Sequence, residues 1–316
     1  MKGLLLILLS IIQLGEHPAT LLVPPHAEGE RLPAVVVLHD HGAWFTIGKE
    51  KMATPEWRDD LDSLTNIRIR QDSQAWVDRC YSGIYVADSL LQAGFVVLIT
   101  DAVYWGERAD GNPYYRDDED HHNNLKALNK TLQNAQPDFY RRHLAETGEA
   151  WFETILREDR ESVDFLCSLP YVDTTRIFTF GFSMGAYRSW QLAAADPRIA
   201  GCAAANWMTT VTYTGAFITN ASSWPMYRPL PENSDSLRYD YPAIAARIVP
   251  RPFLLMYGLH DHVLPREGTE QALPVIQARY HETKSDENFL PVALPGDHIF
   301  TSEHLNVLLT WLNAQR

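Results

Sequence analysis

Cysteine is scarce in this chain: Cys80, Cys167 and Cys202 are the only three among 316 residues, and each sits within an apolar run. Thiols so few and so scattered build neither a disulfide framework nor a tetrahedral zinc cage, and they read as small buried hydrophobes. Positive charge is short as well, with 27 Lys plus Arg against 40 Asp plus Glu and a formal net charge of -13. That deficit excludes a nucleic-acid polyanion as the default partner and argues against a landing patch for anionic lipid. No internal repeat, linker or low-complexity tract divides the sequence. What is present, 46% hydrophobic, 11% aromatic and 21% charged residues, suffices for a large core and excludes disorder.

The N-terminus carries Met1-Lys2 and then the apolar run Gly3 to Leu14. This resembles the charged start and hydrophobic middle of a secretory signal, but no small-x-small cleavage site follows. Residues 1–16 therefore read either as an export signal or anchor, giving a periplasmic or secreted protein, or as a packed N-terminal segment of a cytoplasmic one. The run is too short to span a bilayer, and stable membrane insertion is not expected.

From His17 to the C-terminus strands alternate with helical patterns, the signature of an α/β domain with a largely parallel sheet. Strands are expected at Thr20 to Val23, Ala34 to Leu38, Phe95 to Thr100, Arg176 to Phe180, Gly201 to Asn206, Pro252 to Tyr257 and Leu290 to Leu294. Lys49 to Arg70 reads as charged and irregular. Ser73 to Gln92 reads as one helix, with Trp76, Cys80, Ile84 and Ala87 at three- and four-residue spacing. Further helices are expected at about Glu149 to Ser168, Ser183 to Ala195 and His304 to Ala314. Two longer polar or aromatic stretches, about 109–147 and 209–247, stand out as lid-like insertions in one domain spanning 17–316.

Strand Ile177-Phe178-Thr179-Phe180 runs into Gly181-Phe182-Ser183-Met184-Gly185 and then into a helical pattern. Gly-x-Ser-x-Gly in that context is a nucleophile elbow: a sharp turn lifts the serine clear of the sheet, and a Cβ at either glycine would collide with neighbouring elements. The alternative is a plain glycine turn with Ser183 as helix cap. An unassisted hydroxyl is a poor nucleophile, so a base and an orienting carboxylate are needed. Asp261, in the loop after strand Phe253 to Tyr257, and His298, in the loop after the last strand, follow in the order this architecture uses. All three lie at the carboxyl ends of strands, where open α/β sheets bind ligands.

Two amides are expected to hold an oxyanion: that of Met184 at the helix N-terminus, and a second in the loop His39-Asp40-His41-Gly42-Ala43, with His41 first choice and Gly42 or Ala43 second. Arg108, at another strand end, is expected to brace the His39 loop structurally. Trp207, Tyr213, Trp224 and Tyr227 either stack on a sugar or line the underside of a lid. Close His pairs, His39/His41, His121/His122 and His260/His262, raise a metal reading that no His-Glu-x-x-His helix or cysteine cage supports. From Glu107 to Asp120, six acids and two arginines leave four excess negative charges, a rim that disfavours anionic substrates.

At these residues the chain resembles the α/β-hydrolase superfamily and, within it, the dienelactone-hydrolase-like and acetyl xylan esterase-like branch. The likeness runs from about Ala19 to the C-terminus. It rests on Leu38-His39-Asp40-His41-Gly42-Ala43 with Gly48-Lys49-Glu50-Lys51, on Gly106-Glu107-Arg108, on the serine motif, and on Gly258-x-x-Asp261-x-x-x-Pro265. It implies the α/β-hydrolase fold, a mostly parallel central sheet with helices on both faces. It also implies a Ser183, His298, Asp261 triad, no cofactor, and a small-molecule or carbohydrate ester as substrate. Two departures stand out. Many superfamily members read His-Gly where this chain has His39-Asp40, and dienelactone hydrolases proper use a cysteine nucleophile where Ser183 stands. The expected activity is that of a serine carboxylic-ester hydrolase on acetylated carbohydrate. A methyl-esterified uronate esterase or a serine peptidase of the same fold is the alternative, although the chain is too short to add a propeller to the core.

Overall fold

Every residue of Leu32–Leu38 is buried, with Ala34, Val36 and Leu38 in one hydrophobic cluster and Val35 and Val37 in another. Successive strand side chains point to opposite faces, so an unbroken apolar run requires cover on both, the condition of a central parallel strand. Val96–Thr100 divides the same way, Val96 and Leu98 from Val97 and Ile99. The computed structural model describes residues 8–14, 17–110, 125–210, 213 and 240–315. Its strands are Leu8–Leu14 (β1), His17–Val23 (β2), Leu32–Leu38 (β3), Val96–Thr100 (β4), Val172–Phe182 (β5), Ile199–Ala205 (β6), Phe253–Gly258 (β7) and Phe289–Leu294 (β8). They form one sheet in the order β1-β2-β4-β3-β5-β6-β7-β8, parallel from β4 to β8, with β2 antiparallel to β4 and β1 antiparallel to β2. Leu8–Leu14, the heart of the N-terminal apolar run, is thus an edge strand.

The described helices are Ser63–Cys80 (α1), Val86–Gln92 (α2), Leu125–Thr147 (α3), Trp151–Ser168 (α4), Met184–Ala195 (α5), Tyr241–Ala245 (α6), Arg266–Glu282 (α7) and Ser302–Ala314 (α8). Helices α4, α5 and α7 cover one face of the sheet through residues such as Val163, Trp190 and Ile276. Helices α1, α2 and α8 cover the other through Trp76, Leu90 and Leu308. This is the α/β-hydrolase architecture. No helix among the described residues is long and apolar enough to cross a membrane.

Three local expectations are corrected. The single helix over Ser73 to Gln92 is two, because Ser82 and Gly83 take left-handed φ of 54° and 79° and the Gly83 N–H returns to the Val77 carbonyl, closing α1. The stretch read as irregular already contains the start of α1, where the Asp62 carboxylate caps the Thr65 N–H. Helix α7 is absent from the expected pattern; Pro274 within it removes a backbone donor and disguises it. In the first insertion, α3 lies against the body, burying Leu128, Leu132, Gln136 and Tyr140.

Candidate active site

Strand β5 ends at Phe182 and α5 begins at Met184, so Ser183 alone makes the turn, with φ 55° and ψ -124°. A left-handed φ at a non-glycine residue costs ~1–3 kcal/mol and persists only where its surroundings enforce it. Here the Ser183 N–H donates to the Ala205 carbonyl at 2.9 Å, and the Ser183 carbonyl accepts from the Ala186 N–H at 2.8 Å. The flanking glycines allow the approach. A Cβ on Gly185 would sit 1.9 Å from the Leu38 carbonyl oxygen, and one on Gly181 would sit 2.1 Å from the Gly185 carbonyl carbon.

The structure brings the three separated residues together. His298 Nε2 lies 2.8 Å from Ser183 Oγ, and His298 Nδ1 lies 2.8 Å from Asp261 Oδ2. Asp261 is fixed by four donors: His298 and the Asn206 amide on Oδ2, and the Val263 and Leu264 N–H groups on Oδ1 at 2.9 and 2.8 Å. Burial alone would raise this carboxyl; the hydrogen bond and charge of His298, with the other donors, outweigh it and hold the group below the usual carboxylate range. Asn206, at the end of β6, is in turn held by His304 Nε2 at 3.2 Å. Asp297 clasps the two loops, accepting the His298 N–H at 2.7 Å and the His262 N–H at 3.0 Å. Sequence reasoning overlooked Asn206, Asp297 and His304; the signal for the first two was position just after a strand end, whereas His304, in the first turn of α8, carried none.

The loop after β3 lies beside this turn, since the Cβ that would meet Leu38 on Gly185 would also come within 3.0 Å of the His39 carbonyl. His39 Nδ1–H donates to the Asp40 carbonyl at 2.9 Å and His39 Nε2 accepts the Ala102 N–H at 3.0 Å, the pattern of a neutral ring. Burial and the charges of Lys51 and Arg188 hold it well below its ordinary value. His41 Nδ1 accepts the Ala43 N–H, its Nε2 meets Gln136 of α3, and burial lowers it to about 4. Among the described residues neither the His41 nor the Gly42 N–H has an acceptor. Met184, the first residue of α5, is completely enclosed, and its N–H is among those a helix leaves without an intrahelical partner.

Among the described residues Arg108 makes no hydrogen bond to the His39 loop itself. It donates to the Asp101 carbonyl at 2.9 Å and forks onto Glu158 at 2.7 and 2.9 Å, tying the end of β4 to α4. Glu107 does not belong to an open acidic rim either, since Lys49 and Arg58 both pair with it; Asp117 to Asp120 lie outside the described residues. Trp207 is enclosed among Tyr187, Trp190 and Tyr241. Tyr213 is exposed, while Trp224, Tyr227 and the His121/His122 pair lie outside the described residues. Glu50, Asp101 and Glu107 group their carboxylates closely enough to hold a cation. The Lys49 ammonium stands among them at 2.9, 3.0 and 2.6 Å. A cavity of about 580 Å³ between β8 and the end of α8 opens by Pro252 and Asn288, at the opposite end of the parallel strands from Ser183.

Comparison with known proteins agrees with this architecture. YtaP of Bacillus subtilis (strain 168), described as a hydrolase, is 24% identical over 317 residues, covering 96% of this chain and 87% of that one. A Bacteroides fragilis protein described as an acetyl xylan esterase (BF1801) superposes with a TM-score of 0.54 at 16% identity, over 88% of this chain and 63% of its own. A glucuronoyl esterase from Solibacter usitatus superposes with a TM-score of 0.58 at 13% identity, over 95% of this chain and 77% of its own. At these identities the structural likenesses establish the fold. The sequence model of the dienelactone hydrolase family matches residues 80–283, well over half of the chain, and the protein belongs to that family.

Proposed function

We propose that the protein is a serine carboxylic-ester hydrolase that works through an acyl-enzyme, with acetylated carbohydrate as its substrate. The observation that carries this reading is the unbroken relay from Ser183 Oγ through both nitrogens of His298 to Asp261, at 2.8 Å for each link, on a strained turn at the carboxyl edge of the sheet. As Ser183 attacks the ester carbonyl, His298 Nε2 takes the hydroxyl proton, and Asp261 orients the imidazolium and balances its charge. The Met184 N–H and that of His41 or Gly42 receive the developing oxyanion. Collapse of the tetrahedral intermediate expels the alcohol, which leaves with the proton from His298. Water, deprotonated by the same ring, then attacks the acyl-serine and releases the acid. One hydrolase domain carries this site, its sheet taking in Leu8–Leu14 ahead of the expected 17–316. Gln136 of the insertion at about 109–147 reaches His41, and most of the insertion at about 209–247 lies outside the described residues.

The acetyl preference is supported by the likeness to a protein described as an acetyl xylan esterase and by the net charge of -13, which disfavours free polyuronate. The test is an ester panel on wild type and Ser183→Ala: acetylated xylan, a methyl-esterified uronate, p-nitrophenyl acetate and a peptide anilide. Turnover of acetylated xylan and p-nitrophenyl acetate by the wild type, lost in Ser183→Ala, is the expected result. Substantial p-nitrophenyl acetate hydrolysis by Ser183→Ala refutes the nucleophile, and preferential turnover of the uronate or the anilide moves the substrate to that class.

A further inference from the structure

Among the described residues no Lys or Arg is more completely enclosed than Lys51, which has no exposed surface. An ammonium is rarely kept in such a place, because burial forfeits its hydration. Its partners are few and specific. Nζ donates to the Asp40 carbonyl at 3.0 Å and to the His41 carbonyl at 3.1 Å, lies 3.5 Å from Asp40 Oδ2, and sits 4.9 Å from the centre of the Trp76 ring.

Those two carbonyls belong to the peptides whose N–H groups are those of His41 and Gly42. A trans peptide is planar, with C=O and N–H directed oppositely, so whatever grips the carbonyl aims the amide away from itself. Asp40 O is gripped twice, by Lys51 and His39 Nδ1–H, and His41 O three times, by Lys51, by Trp105 Nε1–H at 3.1 Å and by the Trp44 N–H at 3.4 Å. The loop has no slack on the same side, since a Cβ on Gly42 would fall 2.1 Å from the Trp76 ring. A full positive charge on the carbonyl side also polarises both peptides and strengthens their N–H groups as donors.

We propose that Lys51 is a positioning residue of the oxyanion hole: its enclosed ammonium holds the back of the His39–Ala43 loop and both orients and strengthens the His41 and Gly42 amides. This rests on the serine-hydrolase reading above. The experiment compares wild type, Lys51→Met and Lys51→Arg in kcat, KM and thermal midpoint on p-nitrophenyl acetate. It adds the inhibition constant of an aryl trifluoromethyl ketone, whose hemiketal oxyanion would occupy the hole. Lys51→Met should lose on the order of 10²-fold in kcat with KM within about threefold, and the ketone should weaken by the same factor, as on removal of an oxyanion donor. Lys51→Arg, which keeps the charge, should recover part of both. If Lys51→Met does not fold, Lys51→Gln supplies the uncharged comparison. Near wild-type kcat in a folded uncharged variant, or a fall in kcat without weaker ketone binding, overturns the proposal. Failure of a fluorophosphonate to label Ser183 in the wild type would instead bring down the reading beneath it.

Discussion

Gly185→Ala is a substitution of one methyl group whose consequence can be worked from the geometry. The new Cβ would lie 1.9 Å from the Leu38 oxygen, 2.7 Å from the Leu38 carbonyl carbon and 3.0 Å from the His39 oxygen. Ordinary carbon–oxygen contact begins near 3.4 Å, so the shortfall is about 1.5 Å, and every opposing atom is backbone, which cannot rotate aside. Relief requires the start of α5 to move away from the end of β3. Yet β3 and β5 are held in register from Ala34/Ile177 to Leu38/Gly181, and the two segments that would have to part carry Ser183 on one and the His39–Ala43 loop on the other. A misplacement of ~1 Å in such a site costs about 10²-fold in rate, and overpacking a tight core costs ~1–3 kcal/mol. Turnover of p-nitrophenyl acetate should therefore fall at least about 10²-fold in kcat/KM, with a lowered melting temperature. Gly29→Ala is the control. Gly29 has φ 79° with no atom within 4 Å of an added Cβ, so it should lose only ~1–2 kcal/mol of stability and no activity. A Gly185→Ala enzyme matching wild type in both kcat/KM and melting temperature would refute the packing argument.

Asn206→Ala removes one of four donors to Asp261 and leaves His304 Nε2 unpaired; kcat should drop about 10-fold at unchanged KM, since one charge-assisted hydrogen bond is worth ~1.5–3 kcal/mol. Because Asn206 has φ 56°, Asn206→Gly should show the same kcat loss with a higher melting temperature than the alanine variant, and full activity in either would exclude this role. Lys49→Met leaves Glu50, Asp101 and Glu107 without their shared ammonium, and denaturant unfolding should show a loss of ~3–5 kcal/mol; a loss under 1 kcal/mol would mean that the carboxylates re-pair or protonate freely. Stability should also fall steeply between pH 6.5 and 4. His41 and His304 are lowered to about 4 by burial, and His39 lies well below its ordinary value, so all three take up protons on unfolding in that window. Asp101, raised by burial, releases one. Asp88 and Asp159, raised by burial too, offset part of that uptake. Each net proton contributes ~1.4 kcal/mol per pH unit, so the stabilisation from the three histidines is present in full above pH 6.5 and lost as the pH falls; a flat stability profile from pH 7 to 4.5 would contradict it.

Strand positions were legible because a buried parallel strand must be apolar on both faces, and Val35-Val36-Val37 and Val96-Val97-Leu98 have few other readings. The grouping of Ser183, Asp261 and His298 was legible for a related reason: each follows a strand, and parallel strands bring their carboxyl ends to one edge. Helix breaks were less so, since the split between α1 and α2 turns on left-handed conformations at Ser82 and Gly83 that periodicity does not register. Arg108 was placed at the right edge of the sheet but with the wrong partner. Strand order brings β4 beside β3, and only the depth of Glu158 on α4 decides which way the fork turns. Lys51 entered only as part of the resembling segment Gly48-Lys49-Glu50-Lys51, and its burial was not legible, because a lysine in a charged run defaults to the surface and this one's burial depends on the path of a loop ten residues away.

That loop also accounts for the aspartate at position 40. A carboxylate next to an amide meant for an oxyanion would by itself oppose negative charge there. Asp40 Oδ2 does stay beside Gly42, 2.6 Å from where a Cβ there would lie, but the carboxylate's acceptors are committed: Tyr81 Oη donates to Oδ1 at 2.6 Å, Trp76 Nε1 to the same oxygen at 3.2 Å, and Lys51 stands 3.5 Å from Oδ2. The carboxylate thereby becomes the anchor of the ammonium that grips the loop. The neighbouring rings add no competing charge, because burial keeps His39 and His41 neutral and their nitrogens are committed to backbone and amide partners. Of the imidazoles among the described residues, His298 alone is hydrogen-bonded to both a hydroxyl and a carboxylate, so in the proposed mechanism proton movement falls to His298 and oxyanion stabilisation to backbone amides.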